Sequence, residues 1–109
     1  MTTIRSILIL LSVTATSALL GADVTANWAD KCAKCHGATG LGDTKMGKKL
    51  NIADFSDAAV QAKFTDEQAN KAIKEGLTDS TGKTSMKAIE GLNDDEIKAL
   101  VVHVRALKK

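Results

Sequence analysis

Proline and tyrosine are absent from this chain of 109 residues, and Trp28, Phe55 and Phe64 are its only aromatic residues. Without proline no position is barred from helix, and the abundance of Ala, Lys, Leu and Glu favours helix over sheet. Three aromatics leave little from which to build a core. A domain this small commonly needs a covalent or metal staple to be stable. Cysteine is scarce as well, with only Cys32 and Cys35. A formal charge of +2 without a basic patch excludes a nucleic-acid-binding surface of the usual kind. The longest apolar run, Ile7 to Val13, is broken by Ser12 and falls short of the about 20 residues a spanning helix needs. There is no internal repeat, low-complexity tract or interdomain linker.

What is present begins with an export signal. Arg5 is a short basic region, Ile7 to Val13 the apolar stretch, and Thr14 to Ala22 a small-residue segment of the kind a signal peptidase cuts. Cleavage is expected after Ala22, with Ala18 and Ala26 also acceptable. Residues 1–22 are thus read as a signal peptide and residues 23–109 as one exported domain. Its place is the periplasm, with no membrane span after cleavage. No cysteine lies near the cut, which argues against a lipid anchor.

The two cysteines stand in Cys32-Ala33-Lys34-Cys35-His36. A C-x-x-C-H run is the sequence by which a chain takes covalent hold of one c-type haem. Two thiols at this spacing form thioethers to the two vinyl groups of one porphyrin, and the adjoining imidazole becomes the proximal iron ligand. Such attachment takes place after export in bacteria, so signal and motif agree. Three alternatives exist for the same residues. A dithiol redox motif needs a βαβ context, and no β-branched runs flank the cysteines. A zinc site would need Cys32, Cys35, His36 and His103 to converge, with two ligands adjacent in sequence. A Cys32–Cys35 disulfide would close a tiny ring and constrain little.

Helical spacing of Ala26, Trp28, Ala29, Cys32 and Ala33 predicts a first helix over 25–35 that runs into the motif. Gly37, Gly40 and Gly42 then break regular structure, so 37–54 is expected as a loop with 43–49 at the surface. A short helix follows over 57–63, closed by Phe64. Thr65 and Gln68 form a capping box for a helix ending near Glu75, with Gly76 as its C-terminal cap. Residues 77–91 are polar and irregular and carry Met86. The last helix is capped by Asn93, has Asp94, Asp95 and Glu96 at its positive end, and buries Ile97, Leu100, Val101, Val104 and Leu107 on one face.

This arrangement resembles the small single-haem class I cytochromes c of bacteria. The residues that carry it are Trp28 four positions before the first cysteine, Cys32 to Gly37, the methionine-bearing segment, and Gly91 to Ile97 opening the last helix. The resemblance implies an all-α cytochrome c fold, three to four short helices wrapped around one covalently attached haem, with the first and last helices crossing. It also implies a methionine shortly before the last helix as the distal iron ligand, a position that Met86 fills. A thioether favours ferrous iron, and two strong axial ligands leave no position open for substrate. Met46 is the rival ligand, but it lies only ten residues after His36 and is better placed as a surface or haem-edge residue. His103 sits off the apolar stripe, where the family commonly has an aromatic, and is expected to rest against Trp28 rather than to bind iron.

The chain departs from the family in two places. It lacks the proline whose carbonyl orients the proximal histidine, so residues 44–52 are expected to supply an acceptor for His36. Lys87 stands where a proline commonly follows the ligand methionine, which leaves that segment less rigid. Lys34, Lys45, Lys48, Lys49, Lys83 and Lys87 fall in segments expected around the haem edge. They form either a rim that steers an acidic redox partner or an ordinary solvated surface. The expected function is a monomeric periplasmic electron carrier, not an enzyme. The alternative is a haem-based sensor or small-ligand binder in which the Met86 bond is labile or absent.

Overall fold

The computed structural model describes residues 20–109, with side chains described from residue 24 onward. The signal segment read at 1–22 therefore lies outside the described residues, apart from the backbone where the first helix begins. The described elements are α1 (Leu20–Lys31), α2 (Ala33–His36), α3 (Lys45–Leu50), α4 (Ala58–Gln61), α5 (Asp66–Glu75), β1 (Leu77–Thr78), β2 (Thr84–Met86) and α6 (Asp94–Ala106). Six helices appear where three to four were expected, because two of them are single turns. One of these, α2, continues α1 across Cys32, whose amide donates to the Trp28 carbonyl at 3.0 Å.

The longer helices start where polar side chains take up orphan amides. Thr65 accepts from the Gln68 amide and Gln68 accepts in turn from the Thr65 amide, which opens α5. The same reciprocal box opens α6, between Asn93 and Glu96. The Glu96 carboxylate also accepts from the Asn27 amide nitrogen at 3.0 Å, tying α6 to α1. The Asn93 amide and the Asn27 side chain together hold the Glu96 carboxyl below the usual range.

Two segments differ from the sequence reading. Within 37–54 the chain forms α3, because the Thr44 hydroxyl accepts from the Gly47 amide and Asn51 ends the helix in the left-handed conformation at φ 57°. Within 77–91 it forms an antiparallel hairpin in which Leu77 pairs with Met86. The Asp79 carboxylate organises its turn by accepting from the Thr81 amide and hydroxyl and the Lys83 amide.

The core is one cluster: Trp28, Cys32, Ile73, Ile97, Leu100, Val101 and Val104. It is built chiefly where α6 packs on α1 and α5. Leu100 is wholly buried, and burial of such a side chain contributes about 1.5–3 kcal/mol. Phe55, Phe64, Met86, Ile89, Leu92 and Leu107 close over the cluster. Leu107, expected inside the last helix, is its C-terminal cap residue.

Since Asn93 both caps α6 and fixes Glu96 for its bond to α1, Asn93→Ala is expected to cost about 1 kcal/mol. Thermal denaturation should show Tm lower by about 4–8 °C. An unchanged Tm would contradict the capping account.

Candidate functional site

Cys32, Cys35 and His36 lie on one turn at the α1–α2 junction. The Cys35 and His36 amides both donate to the Cys32 carbonyl, and the Gly37 amide donates to Ala33. Cys32 is buried in the core, while Cys35 and His36 are half-buried. Both thiols are free. Burial pushes the Cys32 thiol up to about 11 despite the pull of Lys31, the reverse of the acidic thiol that dithiol chemistry uses. Among the described residues no three His, Cys, Asp or Glu side chains gather into a metal-holding group, so the four zinc candidates do not converge.

The turn is gripped from two sides. The Trp28 indole N–H donates to the carbonyls of Gly37 and Ala38 at 3.1 and 3.2 Å, stapling the chain that leaves His36. From the other side α3 packs on α2, and the Thr44 hydroxyl donates to the Cys35 carbonyl at 2.6 Å. Gly47 makes this approach possible, since a Cβ there would drive into the carbonyl oxygens of Gly42 and Cys35.

The His36 ring is set among aromatics. Its centroid is 5.9 Å from Trp28 and 5.2 Å from Phe55, which lies nearly parallel to it at 23°. Burial lowers its pKa, so the imidazole is neutral and able to ligate. Of its two nitrogens only Nδ1 is both buried and without a hydrogen-bond partner. The acceptor expected from residues 44–52 is therefore not there. Those residues hold the carbonyl of Cys35 instead of the ring of His36.

His103 rests on Trp28, as expected, with centroids 4.9 Å apart. Its Nε2 is buried and unpartnered, and desolvation lowers its pKa. Met46 is exposed on α3. Met86, on β2, is half-buried and packs on the same core cluster as Cys32. Its segment is fastened to α5, where the Ile89 amide donates to the Ile73 carbonyl at 2.8 Å. At Gly76 a Cβ would stand 2.6 Å from the Met86 carbonyl oxygen, so the close crossing there requires glycine. The Met86 segment also borders an open groove of about 700 Å³, lined in part by Lys31, Leu77, Thr84 and Ile89.

These residues fit a covalently held haem. Two unpaired thiols share one turn with a neutral imidazole whose Nδ1 is turned into the protein, leaving Nε2 as the ligating nitrogen. Half-buried Phe55, Phe64, Met86, Ile89 and Leu92 supply apolar wall. Sequence reasoning missed Phe55 as a neighbour of His36. The available signal was scarcity, since three aromatics are too few to form a core away from the site.

Comparison with known proteins agrees with this reading. The family model for cytochrome c matches residues 21–108. The solved structure of the c-type cytochrome KustC0563 superposes with a TM-score of 0.66 at 35% identity, covering 78% of this chain and 96% of that one. A tyrosine-to-phenylalanine mutant of that cytochrome gives 0.64 at 34% identity, with 79% and 99% covered. No curated protein matches the chain.

The half-buried His103, whose Nε2 is shut off from water, makes stability depend on pH. Its pKa in the folded protein lies below the ordinary 6.5, so the unfolded chain binds more protons as pH falls. The stability is whole above about pH 6.5 and is lost progressively below it. Denaturant unfolding as a function of pH should show a shallower acid-side decline in His103→Phe than in the wild type. Parallel declines would contradict the assignment.

Proposed function

The chain belongs to the cytochrome c family, and from that premise we propose that it is a periplasmic one-electron carrier, not an enzyme, with Met86 as the distal ligand opposite His36. The observation that carries this reading is the attachment turn itself: two free thiols beside a neutral imidazole, held rigid by Trp28 on one side and α3 on the other. Cys32 and Cys35 would hold one haem c by thioethers, His36 would bind its iron through Nε2, and Met86 through its thioether sulfur. When bound, the haem supplies a one-electron ferrous/ferric couple.

The chain's own residues then have three tasks. Trp28 and Phe55 flank the His36 ring that would bind the iron. The Gly76–Met86 crossing and the Ile73–Ile89 hydrogen bond keep the methionine segment against α5. The apolar side chains around the core keep water from the ligands, which limits the rearrangement that accompanies electron transfer. A thioether opposite imidazole favours the reduced state relative to two imidazoles.

Partner recognition is assigned to the lysines. Lys34 on α2 and Lys45, Lys48 and Lys49 on α3 are all exposed, on two helices that pack together beside the attachment turn. They would draw an acidic redox partner to the turn, with an association rate that falls as salt is added. Lys83 and Lys87 are exposed on the hairpin and just beyond it.

One observation favours the second reading, a haem-based sensor. Met86 sits on a three-residue strand paired with a two-residue strand, beside an open groove. A ligand so held could yield its place to a small molecule. The visible spectrum separates the two readings. A carrier shows the weak far-red ferric band of methionine-sulfur ligation, lost in Met86→Ala and kept in Met46→Ala. Covalent haem without that band in the wild type would favour the sensor.

A further inference from the structure

His36 must be oriented by something other than a hydrogen bond. Its Nδ1 is buried and has no acceptor among the described residues, and the segment expected to provide one is occupied with Cys35. Two aromatic rings flank it: Trp28 at 5.9 Å and Phe55, nearly parallel to it, at 5.2 Å.

Phe55 is unusually well fixed for a loop residue. Its amide donates to the Gly40 carbonyl at 2.9 Å. Its carbonyl accepts from the Gln61 side-chain amide at 2.8 Å, and the same nitrogen reaches the Val104 carbonyl of α6 at 2.8 Å. Gln61 is buried, and its backbone and side-chain oxygens both accept from Arg105 Nη1. Arg105 Nη2 donates to the Phe64 carbonyl and Nε to Asp66, while its guanidinium lies 4.3 Å from the centroid of the Phe64 ring. The Phe64 ring meets Phe55 edge-on at 6.0 Å. A rigid series thus runs from the planar fork of Arg105 through Phe64 and Phe55 to His36.

We propose that Phe55, clamped by Gln61 and Arg105, is the positioning residue for His36, and that this ring packing replaces hydrogen bonding as the device that sets the proximal imidazole. The proposal rests on the reading of His36 as iron ligand. Its chemical consequence follows from the unpartnered Nδ1–H. An acceptor there would draw the proton outward, make the imidazole a stronger donor and favour ferric iron. Packed against Phe55 and shut off from water, the ring remains a weaker donor, and the reduced state is favoured.

The test uses the holoprotein. In Phe55→Ala water gains access to Nδ1–H, so its exchange in the reduced protein, followed by NMR, should quicken by roughly tenfold or more, equivalent to about 1.4 kcal/mol of lost protection. The reduction potential should fall, and the spread of haem-methyl shifts in the oxidised protein should change as the ring loses its fixed angle. Phe55→Leu, which keeps apolar bulk, should give an intermediate response, and Phe55→Tyr, which keeps the ring face, should restore all three readouts. Val101→Ala, a core truncation outside this ring series, should lower stability and leave them unmoved.

Unaltered potential, exchange and methyl shifts in Phe55→Ala, with His36 still ligated, would overturn the proposal. So would an equal response in Val101→Ala, since that would reduce Phe55 to core filling. A wild-type protein whose haem is not bound by His36 would instead overturn the ligand assignment beneath it.

Discussion

The indole of Trp28 is the contact through which the two ends of the domain and the attachment turn are fixed together. It is buried on α1, where its N–H bonds to two successive carbonyls after His36 while its ring lies beside those of His36 and His103. A buried indole N–H without acceptors costs about 1–3 kcal/mol, so the turn and the α1–α6 packing stabilise one another. Displacing α6 would loosen the indole, and loosening the indole would free the turn that carries the two cysteines. The fold is in this sense organised around a short stretch of backbone rather than around a large apolar core.

On the other side of the turn the support comes from a hydroxyl and a glycine. Thr44 caps α3 and also holds the Cys35 carbonyl, and Gly47 lets α3 come close enough for that bond. The grip falls on the backbone of the motif and leaves the His36 ring to its aromatic neighbours. The motif's backbone is thus held by α3, and the aromatic side of the site by the Phe55–Gln61–Arg105 series.

What could be read from sequence was local. The capping box of α5 and the start of α6 involve partners three residues apart, so spacing alone revealed them. The attachment motif is contiguous, whereas the long-range Trp28–His103 contact was expected only through the family resemblance, which implies that the first and last helices cross. Other features depend on distance along the chain or on exposed residues without periodicity. Arg105 meets Gln61 across 44 residues and Phe64 across 41. The hairpin around Met86 has no buried alternation to betray it, because four of its five strand residues are exposed. The helix α3 was hidden by the glycines around it, although Thr44 and Asn51 were its boundary signals. The missing acceptor for His36 could not be inferred from composition, since absence of proline predicts a substitute as readily as none.

The central proposal is that Cys32 and Cys35 hold one haem covalently. Intact-mass measurement after acid denaturation and organic extraction tests it most directly. The account predicts a polypeptide carrying the mass of one haem, still carried through the remaining thioether in the Cys32→Ser or Cys35→Ser variant and absent from the double variant. A wild-type chain of bare polypeptide mass, prepared in cells able to attach c-type haem, would contradict it.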